Sequence, residues 1–235
     1  SITNETIPMK DAVSALSRGI ADGLAEVPGV EVYTLLVAMR GQSAERCFEI
    51  AELTKETEVV PSPVGGVVGL DLAGDEGGFG NDIYADCFRH AKEVLGLNTT
   101  VHSGELGDED ARLENVKIAL EEMNVDRIGH GYAAAKDEKT MELIKAKGVF
   151  LEVCSGTALA ERNLDAVKTL LANGVPFGLN EDDPSPYFGG CDYSCVEAIS
   201  RSCKGEGLRV SKEAEAMCLM RRAIFKGGVG MDDDE

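Results

Sequence analysis

At 235 residues with 43% hydrophobic residues, the chain is long enough to bury one substantial core and is not disordered by composition. Its formal net charge of −19, with no basic run to offset it, excludes nucleic acid as a partner because such a surface repels phosphate backbones. No stretch approaches the roughly 20 apolar residues of a membrane span, and the first residues lack the regions of a signal peptide, so we expect a cytoplasmic protein without a membrane partner.

Apolar runs alternate with stretches of helical period, which is typical of repeated βα units around a buried parallel sheet. A helix comes first, with apolar residues at Val13, Leu16, Ile20 and Leu24. Further helical stripes follow Asn81 and begin at Leu113 and Leu164. Six strands are predicted, near Val32–Met39, Val67–Leu72, Thr99–His102, Arg127–His130, Val149–Cys154 and Val175–Leu179. The expected fold is α/β, built from consecutive βα units.

No linker is long or polar enough to mark a domain boundary, so residues 1–226 are predicted to form one domain. Residues 227–235 combine glycine with like charges and are predicted to be a flexible acidic tail. The seven cysteines are scattered and include no CxxC pair, which favours reduced thiols over a disulfide framework or a zinc knuckle.

Chemically useful side chains follow the predicted strands where they end, which is where catalytic groups lie in parallel α/β barrels. His102 and Glu105 are separated by a Ser-Gly turn, so the imidazole could face a metal while the carboxyl reaches a substrate. A carboxyl shielded from water can stay protonated near neutral pH and act as an acid. His130 ends a further strand. Taken alone, the first motif is equally consistent with a surface turn.

Two other strand ends carry carboxylates. Asp182 and Asp183 follow an apolar run and precede Pro184, so one could bind a cation and the other a substrate proton, although an ordinary Asp-Asp-Pro turn fits equally well. After the second strand, Gly74 would let a flat ligand approach the backbone closely. No phosphate-binding glycine motif follows it, so nucleotide phosphate binding is not favoured.

Four motifs in register, at residues 70–76, 100–105, 127–132 and 179–184, together resemble the adenosine deaminases. They read LDLAGDE, TVHSGE, RIGHGY and LNEDDP, and the likeness extends from about Asp11 to Phe225. The resemblance implies a TIM-type (β/α)8 barrel of the metal-dependent hydrolase kind. It also implies one zinc ion and the hydrolysis of adenosine to inosine and ammonia.

The resemblance also implies residue roles. His102 and Asp182 match zinc ligands, Glu105 matches the carboxylic acid that protonates N1 of the purine, and His130 matches the imidazole beside the zinc-activated water. Asp183 resembles the partner of N7. The backbone N–H of Gly74 resembles the partner of N3.

The chain departs from the family pattern at its beginning. The family starts with a strand that ends in His-x-His, two of its zinc ligands, whereas this chain contains only His90, His102 and His130. With six predicted strands of eight, the sequence resembles the family without its first two strands. Two ligands fall short of the three protein ligands usual in catalytic zinc sites, so we expect weak zinc binding and impaired turnover.

The sequence therefore predicts a deaminase of purine metabolism that acts on a small-molecule nucleoside. The rival within the enzyme class is adenine deaminase, in which residues 186–190 (PYFGG) would be at home, whereas Gly74 and Gly129 argue against it. The rival from another class is a zinc-free purine-binding protein without catalysis. A six-stranded wall would also leave open edges, through which we expect copies of the chain to associate.

Overall fold

The fold was analysed in a computed structural model, which describes residues 7–27, 32–58, 65–154 and 157–180. Within these ranges, helices alternate with strands along the chain. The strands are β1 (Thr34–Met39), β2 (Val67–Ala73), β3 (Thr100–Ser103), β4 (Arg127–His130), β5 (Phe150–Cys154) and β6 (Phe177–Asn180). The helices are α1 (Met9–Leu24), α2 (Ala44–Thr57), α3 (Ala85–Glu93), α4 (Glu109–Glu121), α5 (Glu138–Lys147) and α6 (Thr157–Ala172), with short 3₁₀ helices at Asn81–Ile83 and Tyr132–Lys136.

Every pair of hydrogen-bonded strands is parallel, and each strand lies beside the next one in the sequence. β1 pairs with β2, and β3 to β6 form a second sheet. The two sheets are joined by a bridge between Leu70 and Thr99, where the Leu70 N–H donates to the Asn98 carbonyl over 3.0 Å. This sequential parallel order is that of a βα barrel wall.

All six predicted strands are present, with bounds that differ from the predicted ones by at most two residues. The last strand begins at Phe177 rather than Val175 because Pro176 has no N–H to donate to the ladder. The Pro176 carbonyl nevertheless accepts a hydrogen bond from the Leu151 N–H at 3.0 Å. The predicted tail at 227–235 lies outside the described residues.

The core lies between the strands and the helices that cover them. Leu70, Val101, Ile128 and Leu151 alternate with inward-facing residues along their strands and are fully buried. They belong to one apolar cluster with side chains of the covering helices, which include Phe88, Leu120, Ile144 and Leu170. Burial of each such side chain stabilises the fold by about 1.5–3 kcal/mol.

Helix ends are set by local signals. Asp108 and Asp137 cap α4 and α5, since their carboxylates accept hydrogen bonds from the N–H groups of Ala111 and Thr140 at 3.0 and 3.1 Å. Gly148 ends α5 in the left-handed conformation. These caps fix where α4 and α5 begin and where α5 ends, and so where the chain turns back toward the next strand.

A polar layer lies inside the wall, toward the amino ends of the strands. Arg127 forms an ion pair with Glu152, and the Thr100 hydroxyl donates to the same carboxylate over 3.4 Å. Thr100 lies two positions before His102 on β3, so the two side chains project from the same face of the strand. We call Thr100, Arg127 and Glu152 the polar floor.

The inner face of β1 carries exposed apolar side chains. Val37 and Met39 are 39% and 46% exposed, whereas Ala38 on the opposite face is 2% exposed. Val37 lies opposite Asp71 in the β1–β2 register. Its side chain therefore projects from the same face of the sheet as Asp71, toward the interior of the wall.

The described cysteines, Cys47, Cys87 and Cys154, are buried free thiols. Among the described residues, no helix is both long and apolar enough to cross a membrane.

Candidate active site

The structure brings three of the predicted site residues together at the carboxyl ends of β3 and β4. Parallel pairing sets His102 opposite Gly129 and Ser103 opposite His130. The two imidazole rings are 5.2 Å apart between centroids. The Glu105 Oε2 atom lies 3.2 Å from His130 Nε2. An acid and two imidazoles therefore occupy one small volume.

His130 is held in an unusual backbone conformation. Its φ is +66°, in the left-handed region that few residues other than glycine adopt, and Gly131 follows at +72°. The Gly131 N–H donates to the Ser103 carbonyl over 2.9 Å, which keeps this turn against β3. Such backbone outliers concentrate at functional sites, where packing maintains a conformation that the isolated chain would avoid.

His130 is neutral at physiological pH. Its side chain is 1% exposed, and burial, together with the neighbouring His102, lowers its pKa to about 3. A neutral imidazole beside a carboxyl group can accept a proton during a reaction, which an imidazolium cannot do.

His102 is oriented by Asp71 of β2. The Asp71 Oδ1 atom is 3.2 Å from His102 Nδ1, and Asp71 is only 6% exposed. Glycine at position 129 lets β4 pass close to β3 at this point, because a Cβ atom there would lie 3.3 Å from His102 Cα. A histidine whose Nδ1 faces a carboxylate presents Nε2 as a metal ligand, and this arrangement is common in zinc sites. The donor chemistry of His102 thus fits zinc.

Gly74 lies just after β2, beside Arg40, which follows β1. Gly74 has a φ of +113°, and a Cβ atom there would lie 3.3 Å from Arg40 Cβ, so the position requires glycine. The buried Arg40 guanidinium donates to the carbonyls of Phe79 and His102 at 2.7 and 2.6 Å. It also donates to Asn81 Oδ1 at 2.7 Å.

Burial lowers the pKa of Arg40, and Glu76 is the strongest of the nearby groups that oppose this effect. Both residues are almost completely buried, Arg40 being 6% and Glu76 3% exposed. Sequence reasoning did not identify Asp71, Arg40 or Glu76 as functional residues. An acidic residue inside the apolar run of β2 was the one available signal for Asp71.

The other predicted groups, Asp182 and Asp183, lie outside the described residues, so their placement beside His102 stays a prediction. Within the described ranges, no three His, Cys, Asp or Glu side chains form a cluster that could hold a metal. The described part of the site therefore contributes His102 alone as an oriented ligand.

Sequential parallel strands that carry histidine and carboxylate groups at their carboxyl ends define the class of βα-barrel proteins with a strand-end site. Solved structures agree with this fold. Adenine deaminase from Arthrobacter aurescens superposes with a TM-score of 0.72 at 23% identity, covering 97% of this chain and 64% of that one. An amidohydrolase from Burkholderia ambifaria with bound zinc gives a TM-score of 0.64 at 19% identity, covering 93% and 63% of the two chains. These similarities confirm the predicted TIM-type barrel.

Sequence comparisons narrow the class further. Residues 1–203 match the protein family described as Adenosine deaminase. Adenosine deaminase from Shewanella denitrificans is 31% identical over 186 residues, which is 77% of this chain and 53% of the relative. The enzyme from Edwardsiella ictaluri is 30% identical over 184 residues, 76% and 52% of the two chains. The chain belongs to the adenosine deaminase family, as the motifs predicted, and spans about half the length of these relatives.

Proposed function

We propose that this protein hydrolyses the 6-amino group of adenosine, a reaction in which water adds at C6, ammonia leaves and inosine forms. The observation that carries the proposal is the 3.2 Å contact between the Glu105 carboxyl and the buried, neutral His130, beside the Asp71–His102 pair. Membership of the adenosine deaminase family supports the choice of reaction.

The proposed roles follow from charge and hydrogen-bonding capacity. Glu105, protonated, donates its proton to N1 of the purine, which makes C6 a better electrophile. His130 would accept the first proton that the attacking water releases and pass it to the departing amino group, while the second water proton returns to Glu105 as the C6 carbonyl forms. The Gly74 N–H would donate to N3, and Asp183 would face N7.

His102 and Asp182 would hold the zinc ion. When bound, zinc would supply a Lewis acid that lowers the pKa of water from 15.7 to about 7. The Asp71 carboxylate keeps the His102 ring in one orientation and raises its basicity as a ligand. Because the chain has no His-x-His sequence, we expect it to bind zinc weakly by itself and to turn over slowly.

Glu105→Gln is the direct test of this function. The amide keeps the shape of the side chain but cannot deliver an acidic proton, so we expect turnover to fall at least about 100-fold, as for loss of a general acid. Zinc content should stay unchanged, since Glu105 is not a proposed zinc ligand. Glu121→Gln, the same substitution at an exposed position of α4, is the matched control.

The assay should use concentrated chain with excess zinc and detect inosine and ammonia directly, because slow turnover is expected. Inosine from the parent chain and the control, but not from Glu105→Gln, would support the proposal. Equal activity of parent and Glu105→Gln, or no inosine from either, would overturn it.

The same assay with adenine separates the two substrates. A free base lacks the ribose, and its hydrolysis would give hypoxanthine instead of inosine. Hypoxanthine as the main product would favour the adenine deaminase alternative. Tight purine binding without zinc or product would favour the non-catalytic alternative.

A further inference from the structure

The Glu76 carboxylate is buried beneath the turn that carries Glu105. Its Oε1 atom accepts hydrogen bonds from the Gly104 N–H at 2.7 Å and from Asn115 Nδ2 at 3.1 Å. Its Oε2 atom accepts from the N–H groups of Glu105 and Leu106, both at 2.9 Å. Three successive backbone N–H groups of one turn therefore point at a single carboxylate.

The carboxylate is itself fixed by a buried polar network. Asn115 accepts from the Asn81 N–H through Oδ1 at 2.8 Å, and Asn81 Nδ2 donates to the Asn115 carbonyl at 2.8 Å. Asn81 Nδ2 also donates to Ser103 Oγ at 2.8 Å, next to the turn. Asn81 and Asn115 are 0% and 5% exposed. Charge-assisted hydrogen bonds in a buried network of this kind are strong and directional.

The opposite side of the turn is fixed by packing. Gly104 has a φ of +82°, and a Cβ atom there would lie 2.8 Å from Val116 Cγ2. The turn therefore lies between the Glu76 carboxylate and α4, with little freedom to tilt. Its Glu105 side chain is left beside His130, at 3.2 Å.

We propose that Glu76 is the positioning residue for Glu105: its carboxylate holds the backbone of residues 104–106 so that the Glu105 carboxyl stays against His130. The inference rests on the proposed function, in which Glu105 is the acid. Glu76 takes no part in proton transfer, because its oxygens are directed at backbone N–H groups of the turn.

Glu76→Gln tests this role with minimal change of shape. Each carboxylate oxygen of Glu76 accepts two hydrogen bonds. Replacing either oxygen by the NH₂ group of glutamine therefore removes two hydrogen bonds and places that NH₂ group against two N–H donors. We expect kcat to fall about 30- to 100-fold with KM within about threefold, since the defect lies in the reacting geometry. Glu121→Gln should leave both constants unchanged.

A double-mutant cycle separates positioning from a general structural role. If Glu76 acts through Glu105, adding Glu76→Gln to Glu105→Gln should reduce the residual rate by less than about twofold. A merely structural residue would instead lower the rate by the same factor in both backgrounds. Additive losses would overturn the proposal.

A second measurement does not depend on turnover. Nuclear Overhauser effects between the Glu105 side chain and the His130 ring should be present in the parent chain and in Glu121→Gln but lost in Glu76→Gln. Amide hydrogen exchange at residues 104–106 should rise about 10- to 100-fold, with helix amides elsewhere unchanged.

The turnover assay tests the proposed function, whereas the Overhauser and exchange measurements test the positioning role. Loss of the Glu105–His130 effects in a chain that makes no inosine would reject the proposed function and keep the positioning role. Unchanged effects and unchanged exchange in Glu76→Gln would reject the positioning role, whatever the activity. If Glu76→Gln unfolded the whole chain, amide exchange would rise throughout. The milder Asn115→Ser variant would then be measured in its place. Its Glu105–His130 Overhauser effects and its exchange at residues 104–106 would then decide the positioning role.

Discussion

His130 combines a left-handed backbone, complete burial and a lowered pKa in one residue. The lowered pKa means that the folded protein binds fewer protons than the unfolded chain between the folded pKa of about 3 and the unfolded value of about 6.5. The stability that His130 contributes as a neutral ring is therefore complete above about pH 6.5 and is lost as the pH falls toward about 3.

His130→Asn should remove this pH dependence, and asparagine tolerates the left-handed conformation that the position requires. We expect the free energy of unfolding of the parent chain to fall with acidification by up to about 1.4 kcal/mol per pH unit more than that of the variant. Urea unfolding of both proteins at pH 7, 6 and 5 gives the two slopes. Equal slopes for the two proteins would mean that folding does not lower the pKa of His130.

At the scale of the strands and helices, the packing of the two described sheets against each other depends on one side chain at their junction. Arg40 follows β1 and donates to the carbonyls of Phe79 and His102 and to Asn81, so it links β1 to a 3₁₀ helix and to β3. The backbone bridge at Leu70 and Thr99 and the Asp71–His102 pair also connect the two sheets. Arg40 thus holds the His102 backbone against the first sheet, while Asp71 orients its ring.

Arg40→Lys should destabilise the chain by about 2–4 kcal/mol, because one ammonium group cannot reproduce three diverging guanidinium hydrogen bonds in a buried site. Arg46→Lys, at a partly exposed position of α2, is the control and should cost under about 0.5 kcal/mol. Chemical denaturation measures both. A loss for Arg40→Lys no larger than the control would show that the guanidinium fork is not required.

The strands could be predicted from sequence because their outward residues are apolar and lie in short runs. The support beneath Glu105 could not. Glu76 lies in the acidic, glycine-rich stretch from Asp75 to Gly78, which is typical of an exposed turn. Its burial depends on Gly104 and Asn115, which lie 28 and 39 residues away and show no local pattern. Asp182 and Asp183 stay predictions because they lie outside the described residues.

For the molecule as a whole, charge and apolar exposure act in opposite directions. A net charge of −19 keeps copies of the chain apart, while Val37 and Met39 present apolar surface on the inner face of β1. Among the described strands, β1 pairs with β2 alone.

We propose that the chain self-associates through β1 when salt screens its charge. Light scattering should rise with protein concentration, and more steeply at 1 M salt, where the Debye length is about 3 Å. Met39→Lys should suppress the rise, because a charge on the inner face opposes contact between copies. Val94→Lys, at an exposed helix end, should not. A monomer at all concentrations and salt levels would contradict the proposal.

The polar floor has a consequence for how this family can vary. Strands rise by about 3.3 Å per residue, so Thr100 lies about 7 Å beneath His102 on the same face of β3. Arg127 and Glu152 therefore interact one layer away from the reacting groups. Buried ion pairs can often be exchanged for well-packed apolar residues without loss of stability. We therefore expect that Arg127 and Glu152 can be exchanged together for apolar residues while His102, Glu105 and His130 keep their arrangement at the carboxyl end.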